Sequence, residues 1–197
     1  LLNLLFPTRE LCYLCKEKTE HLVGFACSDC RDMVIYKNKD VDIDSIYIHR
    51  AIYAISYNRF IKESIHDFKF NRKSYLYKPL AEVMVNTMKE MKIVNADLIM
   101  FIPIHRRKEA IRGYNQAELL AKYIANYFDT PISKNNLIKV KWTKEQNTLN
   151  RVERLNNLKD SFMIRNPNEI HNKNILLIDD IITTGSTFNE CAKLLMD

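Results

Sequence analysis

Short apolar runs alternate along the chain with stretches of helical period. The run ILLI at 175–178 shows no alternation and is apolar on both faces, which predicts a central parallel strand buried under helices. A second run, DLIMFIPI at 97–104, predicts another buried strand ending around Pro103. Residues 137–140 predict a further short strand, and 47–57, rich in Ile, Tyr and Ala, a strand or strand pair. Helical spacing appears between them. Ile61, Ile65 and Phe68 predict a helix over about 59–68. Leu80, Met84, Met88 and Met91 mark the buried face of another, opening at Ser74 or at Pro79, since proline is tolerated in a first turn. Leu120, Ala121, Ile124 and Phe128 face inward on a third, and a fourth opens at Ser186. The pattern predicts an α/β protein, a parallel sheet flanked by helices.

The stretch NILLIDDIITTGST, 174–187, carries the densest chemistry. Asp179 and Asp180 follow the strand at once. Thr183, Thr184, Gly185, Ser186 and Thr187 form a turn of small residues before the last helix. Gly185 can take a positive φ and let backbone approach a ligand. Successive N–H groups at such a turn suit a phosphate dianion, and the paired carboxylates sit where hydroxyl acceptors or a Mg²⁺ partner would be needed. The bland alternative is a buried strand, a Ser186 N-cap and acids at a solvent edge.

Composition narrows the class. The chain has 197 residues, 47% hydrophobic and 27% charged, as expected of one soluble globular domain with a small appendage. No run approaches a membrane span, and the opening LLNLLFP is too short for a secretion signal, so a cytoplasmic protein is expected. Net charge is +6, and residues 58–112 alone carry twelve Lys/Arg against six Asp/Glu. Both phosphorylated ligands and nucleic acid are compatible with that excess. Residues 69–78, KFNRKSYLYK, mix cations with aromatics. That mixture binds single strands in some proteins, but here the aromatics read better as core.

Four of the five cysteines form two CxxC pairs, Cys12/Cys15 and Cys27/Cys30. Two such turns close a tetrahedron around Zn²⁺ with no open position, so the site is expected to be structural. Two disulfides are the alternative, disfavoured by a reducing compartment. His21 is expected at the surface. Cys191, beside Leu194 and Leu195, reads as a buried structural thiol. The expected division is a zinc-binding module at 1–40 and a larger domain at 41–197.

The 174–187 stretch resembles the phosphoribosyl-pyrophosphate (PRPP) motif of the type I phosphoribosyltransferases. The resemblance narrows with Pro103, Arg106, Arg112-Gly113-Tyr114-Asn115-Gln116-Ala117, and then Thr143, Gln146, Leu149, Arg154, Asn157 and Phe162. In this order, behind a four-cysteine module, these residues resemble the ComF family, a phosphoribosyltransferase-like group linked to natural competence. It spans about residues 12–196.

The resemblance implies a type I phosphoribosyltransferase-like fold, with Asp179 and Asp180 on the ribose hydroxyls and 183–187 around the 5′-phosphate. It implies Mg²⁺ with PRPP, and a pyrophosphate leaving group met by Arg106, Arg107, Lys108 and Arg112, with Lys69 and Arg154 as second candidates. Asp179, Asp180, Arg106 and Arg112 would then be the catalytic set. Threonine at 183, where purine-salvage enzymes usually carry Asp, argues against a hypoxanthine-type acceptor. The segment 141–160, with Arg151 and Arg154, is a candidate lid or a helix–loop with surface charges. The competing expectations are an active phosphoribosyltransferase, a PRPP-binding sensor without turnover, and an accessory that binds single-stranded DNA beside a helicase-like competence ATPase.

Overall fold

A computed structural model describes residues 10–93, 96–142, 158 and 160–196. The cysteine region opens with two small antiparallel pairs. β1 (Glu10–Leu11) pairs with β2 (Lys18–Thr19), and β3 (Leu22–Val23) with β4 (Ala26–Cys27). Gly24, at φ +63°, turns the second hairpin, a conformation that suits a residue without Cβ. The short helix α1 (Ser28–Asp32) follows. β5 (Tyr36–Asp40) and β6 (Ile52–Ile55) then form an antiparallel pair with a register shift between Tyr36 and Lys39.

Helix α2 (Arg59–Phe70) starts where the Asn58 side chain accepts a hydrogen bond from Ile61 N at 2.9 Å, satisfying one of the donors a helix start leaves open. A 3₁₀ turn over Ser74–Leu76 leads into α3 (Tyr77–Glu90). The buried strand β7 (Leu98–Phe101) is followed by α4 (Arg106–Arg112) and α5 (Gln116–Phe128). The antiparallel pair β8 (Leu137–Lys139) and β9 (Phe162–Ile164) precedes β10 (Ile175–Ile178) and α6 (Ser186–Met196).

β10 runs parallel to β7, Ile175 beside Leu98 and Ile178 beside Phe101. Asp97 and Asn174 clamp the start: Asp97 N donates to Asn174 O at 2.9 Å, and Asn174 N to the Asp97 carboxylate at 2.8 Å. On its other side β7 makes a parallel bridge from Ile99 to Ile132. The centre of this arrangement is therefore β7, buried along its length. β10, expected to be central, is only partly buried over Ile175–Leu177 and pairs with β7 alone among the described strands.

Alternation along β7 divides the core. Ile99 and Phe101 face α2, α3 and α5, in a cluster with Phe68, Leu80, Val85, Leu120 and Ile124. Leu98, Met100 and Ile102 face the opposite way, against Leu137, Phe162, Ile170 and Cys191. Cys191 is fully buried there, as its apolar neighbours imply. Both faces of one short strand thus anchor helices, which holds the loops beyond its carboxyl end in place.

The cysteine region packs against the rest through aromatics. Tyr13 meets Phe25 at 5.2 Å and Tyr75 at 6.1 Å, and Tyr123 meets both Phe25 and Tyr77. Lys16 Nζ sits 3.4 Å from the centre of the Tyr75 ring. Tyr75 and Tyr77 therefore serve packing, as the sequence favours, with Leu76 inside between them, whereas Phe70 is 51% exposed.

Candidate functional site

Two groups of residues stand out: the loops beyond the carboxyl ends of β7 and β10, and the cysteine cluster. The loop after β10 begins with the two carboxylates. Asp180 Oδ1 pairs with Lys69 Nζ at 2.9 Å, with the lysine side chain 20% exposed and the aspartate 7%. Asp180 Oδ2 is buried and has no hydrogen-bond partner among the described residues. Asp180 N donates to Asp179 Oδ1 at 2.8 Å. Burial pushes the Asp179 carboxyl well up, and the charge of Asp180 adds to the effect; Lys69 offsets it in part. Two adjacent acids thus share one lysine and leave one acceptor oxygen unspent. A buried acceptor without a donor costs about 1–3 kcal/mol, which a ligand hydroxyl or a cation can recover.

Beyond the acids, Gly185 takes φ +74° and is buried. A Cβ there would meet Ile43 Cγ2 at 2.8 Å, so Ile43 from the segment between β5 and β6 lies on this turn. Thr183 and Thr184 are exposed. Thr184 Oγ1 and Ser186 Oγ are 2.7 Å apart, and Ser186 N donates to Thr184 Oγ1 at 3.5 Å. Asn189 N donates to Gly185 O at 2.9 Å, joining the turn to α6, and Thr187 is half-buried in its first turn.

The basic loop after β7 is held by the RGYNQ residues. Gly113 caps α4 at φ +85°. The Tyr114 hydroxyl donates to Phe68 O at 2.6 Å, and Gln116 Nε2 donates to the same carbonyl at 3.1 Å. Asn115 Nδ2 donates to Ile102 O, while its Oδ1 accepts from Ala117 N at the start of α5, both at 3.0 Å. These bonds tie the ends of α2 and β7 to α5. Arg112 Nη1 donates to Gln116 Oε1 at 3.1 Å, and its guanidinium lies 4.9 Å from the centre of the Phe70 ring. Arg106 and Arg107 are exposed and Lys108 is half-buried. His105 Nδ1 accepts from Arg107 N at 3.2 Å.

The structure brings Lys69, Asp179 and Asp180 together directly. Arg112 is fixed by Gln116 and Phe70. Arg154 and Arg151, with Thr143, Gln146, Leu149 and Asn157, lie outside the described residues. One residue was missed: Lys139, on β8. Burial brings its ammonium down to about 8, and the charge of Lys108 acts in the same direction; Asp179 opposes both. Period-two reading could have found it, since Leu137 two residues earlier faces the core. Nothing in the sequence pointed to Ile43, whose position depends on a long-range contact.

In the cysteine cluster the four Sγ atoms of Cys12, Cys15, Cys27 and Cys30 all lie within 4.8 Å of one another. Cys15 and Cys27 are 3.8 Å apart, about the edge of a tetrahedron of sulfurs at ~2.3 Å from Zn²⁺. Burial raises the Cys12 thiol, but N–H groups of Cys27, Cys15 and Leu14 outweigh it and bring the group down to about 6. The donor set fits zinc, with all four positions filled by thiol sulfur. His21 is exposed, as expected.

The fold and these sites define a mixed α/β protein with a parallel strand pair and a four-cysteine, zinc-compatible cluster near its start. No protein-family model matches the chain. It is 34% identical over 136 residues to Competence protein F of Haemophilus influenzae, covering 66% of this chain and 59% of that protein. It is 28% identical over 206 aligned positions to Competence protein ComFC of Bacillus subtilis, covering all of this chain and 82% of that one. It is 29% identical to the DNA utilization protein YhgH of Salmonella typhi over 136 residues, 67% of this chain and 59% of that protein. The chain is thus similar to ComF-type proteins that are named for competence and for DNA utilization. Its match spans about three fifths of the Haemophilus and Salmonella proteins. No helix among the described residues is long and apolar enough to cross a membrane.

Proposed function

We propose that this protein binds PRPP with Mg²⁺ at the loop 179–187 and acts in natural competence, in the handling of incoming DNA. The competence role rests on the relatives, two of which are named competence proteins and a third a DNA utilization protein. The PRPP reading is carried by one observation above the rest: Asp180 Oδ2 is buried, without a partner among the described residues and adjacent to a second acid at the end of a parallel strand. Open α/β sheets bind ligands outside the carboxyl ends of their strands. In this reading Asp180 takes a ribose hydroxyl, and Asp179 a second hydroxyl or the metal. Thr183, Thr184, Gly185, Ser186 and Thr187 receive the 5′-phosphate. Arg106, Arg107, Lys108 and Lys139 face the pyrophosphate.

The reaction class is pentosyl transfer. An acceptor atom attacks ribose C1, and pyrophosphate leaves with the bonding pair, its growing charge met by fixed cations. A protein that binds single-stranded DNA beside a helicase-like competence ATPase is the second reading, favoured by the exposed Arg106 and Arg107.

Thermal unfolding with and without Mg²⁺–PRPP tests the proposal. At about a hundredfold excess over Kd the ligand adds roughly 2.7 kcal/mol, a rise in Tm of about 5–10 °C. No shift at millimolar ligand, with Mg²⁺ present, overturns the PRPP reading and leaves the DNA reading.

A further inference from the structure

Trp142 is the single tryptophan of the chain and is 51% exposed. It lies three residues beyond β8, on the side of the basic loop. Its ring meets His105 edge-on, with centroids 5.4 Å apart and planes at 82°. Such a contact steadies an aromatic ring without a parallel stack. The imidazole is itself held, because its Nδ1 accepts from Arg107 N. Burial and then the charges of Arg106 and Arg107 hold His105 below the usual imidazole range, which keeps it a neutral ring partner.

The surroundings are cationic and apolar. Arg106 and Arg107 are exposed on the residues that follow His105. Val140 is 43% exposed on the approach. Lys141, the neighbour of Trp142, pairs with Asp160 at 3.6 Å on the surface. An aromatic surface open to solvent next to exposed arginines combines two elements that bind unpaired nucleotides: a face on which a base stacks and cations for its phosphates.

We propose that Trp142, steadied by His105, is a stacking platform for an unpaired nucleobase whose flanking phosphate is taken by Arg106 and Arg107. The base belongs to single-stranded DNA, because two adjacent exposed arginines suit successive phosphates better than one mononucleotide. This inference rests on the single-stranded DNA reading; PRPP carries no base, so the Trp142 platform is tested apart from the PRPP site, while Arg106 and Arg107 meet phosphate in either reading.

Because the chain has one tryptophan, its fluorescence excited at the red edge, beyond tyrosine absorption, reports on this site alone. The full chain is titrated with oligothymidylate of about 15 nucleotides, near the upper end of single-strand site sizes. An abasic deoxyribose-phosphate oligomer of equal length, thymidine monophosphate and Mg²⁺–PRPP are titrated in parallel. Oligothymidylate should quench the emission saturably, and the abasic oligomer should bind without quenching. Trp142→Ala should weaken oligothymidylate binding by about 10- to 100-fold and leave its salt dependence unchanged; Trp142→Phe should restore most of the affinity. Arg106→Gln with Arg107→Gln should lower the salt slope by about 1.4. Quenching by thymidine monophosphate at the same concentration as the oligomer keeps the platform and makes a free nucleotide its occupant, overturning the DNA assignment. The platform itself is overturned if Trp142→Ala binds oligothymidylate as wild type does. It is equally overturned if the abasic oligomer or PRPP quenches as strongly as oligothymidylate. Calorimetry of Trp142→Ala with Mg²⁺–PRPP, expected to match wild type, separates this outcome from failure of the PRPP reading.

Discussion

Replacing Lys69 with Met isolates the interaction that lets Asp179 and Asp180 coexist. The substitution keeps the length of the apolar stem and removes only the charge. In the wild type the ammonium lies 2.9 Å from Asp180 Oδ1, with 20% and 7% of the two side chains exposed. At this depth, removing one partner of an ion pair costs about 3–5 kcal/mol, because the remaining charge is stranded. The partial exposure of Lys69 puts the expected loss near the lower end, about 3 kcal/mol. For a chain of this size that is a fall in Tm of roughly 6–12 °C.

The loss should depend on pH in a defined direction. Without Lys69, the charge that offsets burial at Asp179 is gone, so the Asp179 carboxyl, already pushed up by burial and by the charge of Asp180, rises further. A folded acid with a raised pKa contributes stability that is full at low pH and lost as pH rises through that pKa. The gap between variant and wild type should therefore be largest at pH 7–8 and shrink towards pH 5. Denaturant unfolding at the two pH values measures it, with Asp180→Asn and the double variant completing a cycle. A penalty below about 0.5 kcal/mol at pH 7.5, or strict additivity in the cycle, refutes the claim that Lys69 is the counter-ion of the acid pair.

The other consequences are separate. Asp179→Asn removes a carboxyl that burial pushes well up, so the variant should unfold later than wild type at pH 8 while binding Mg²⁺–PRPP less tightly; parallel thermal melts and titrations check both halves. Gly185→Ala should cost about 1–2 kcal/mol from its positive φ, and more from the contact with Ile43; adding Ile43→Ala should recover only the contact part in denaturant melts. Chelation of the metal should release about one Zn²⁺ per chain and unfold the cysteine region while sparing the β7–β10 pair, as read by elemental analysis and hydrogen exchange.

Much of this was legible from local pattern. The CxxC spacing identified four ligands whose sulfurs do converge. The apolar runs located β7, β8 and β10, and helical spacing located α2, α3 and α5, within a few residues. Which strand lies at the centre was not legible. The runs LIMF and ILLI are equally apolar, and only pairing partners distinguish them: β7 has Ile132 on its second side. The roles of Tyr114, Asn115 and Gln116 were hidden for the same reason. They bond to Phe68 O and Ile102 O, carbonyls distant in sequence. Lys69 could be named as a cation from its neighbours, but its match to Asp180 spans more than a hundred residues and required the fold.

The central claim is that the loop after β10 is a PRPP site whose acceptor is Asp180. Calorimetric titration of wild type and Asp180→Asn with Mg²⁺–PRPP addresses it most directly. An amide keeps one acceptor oxygen and loses the charge; with charge-assisted bonds contributing about 1.5–3 kcal/mol, the variant should bind roughly 10- to 100-fold more weakly. Wild-type protein that gives no heat at millimolar ligand, or an Asp180→Asn variant that binds as tightly as wild type, contradicts the account.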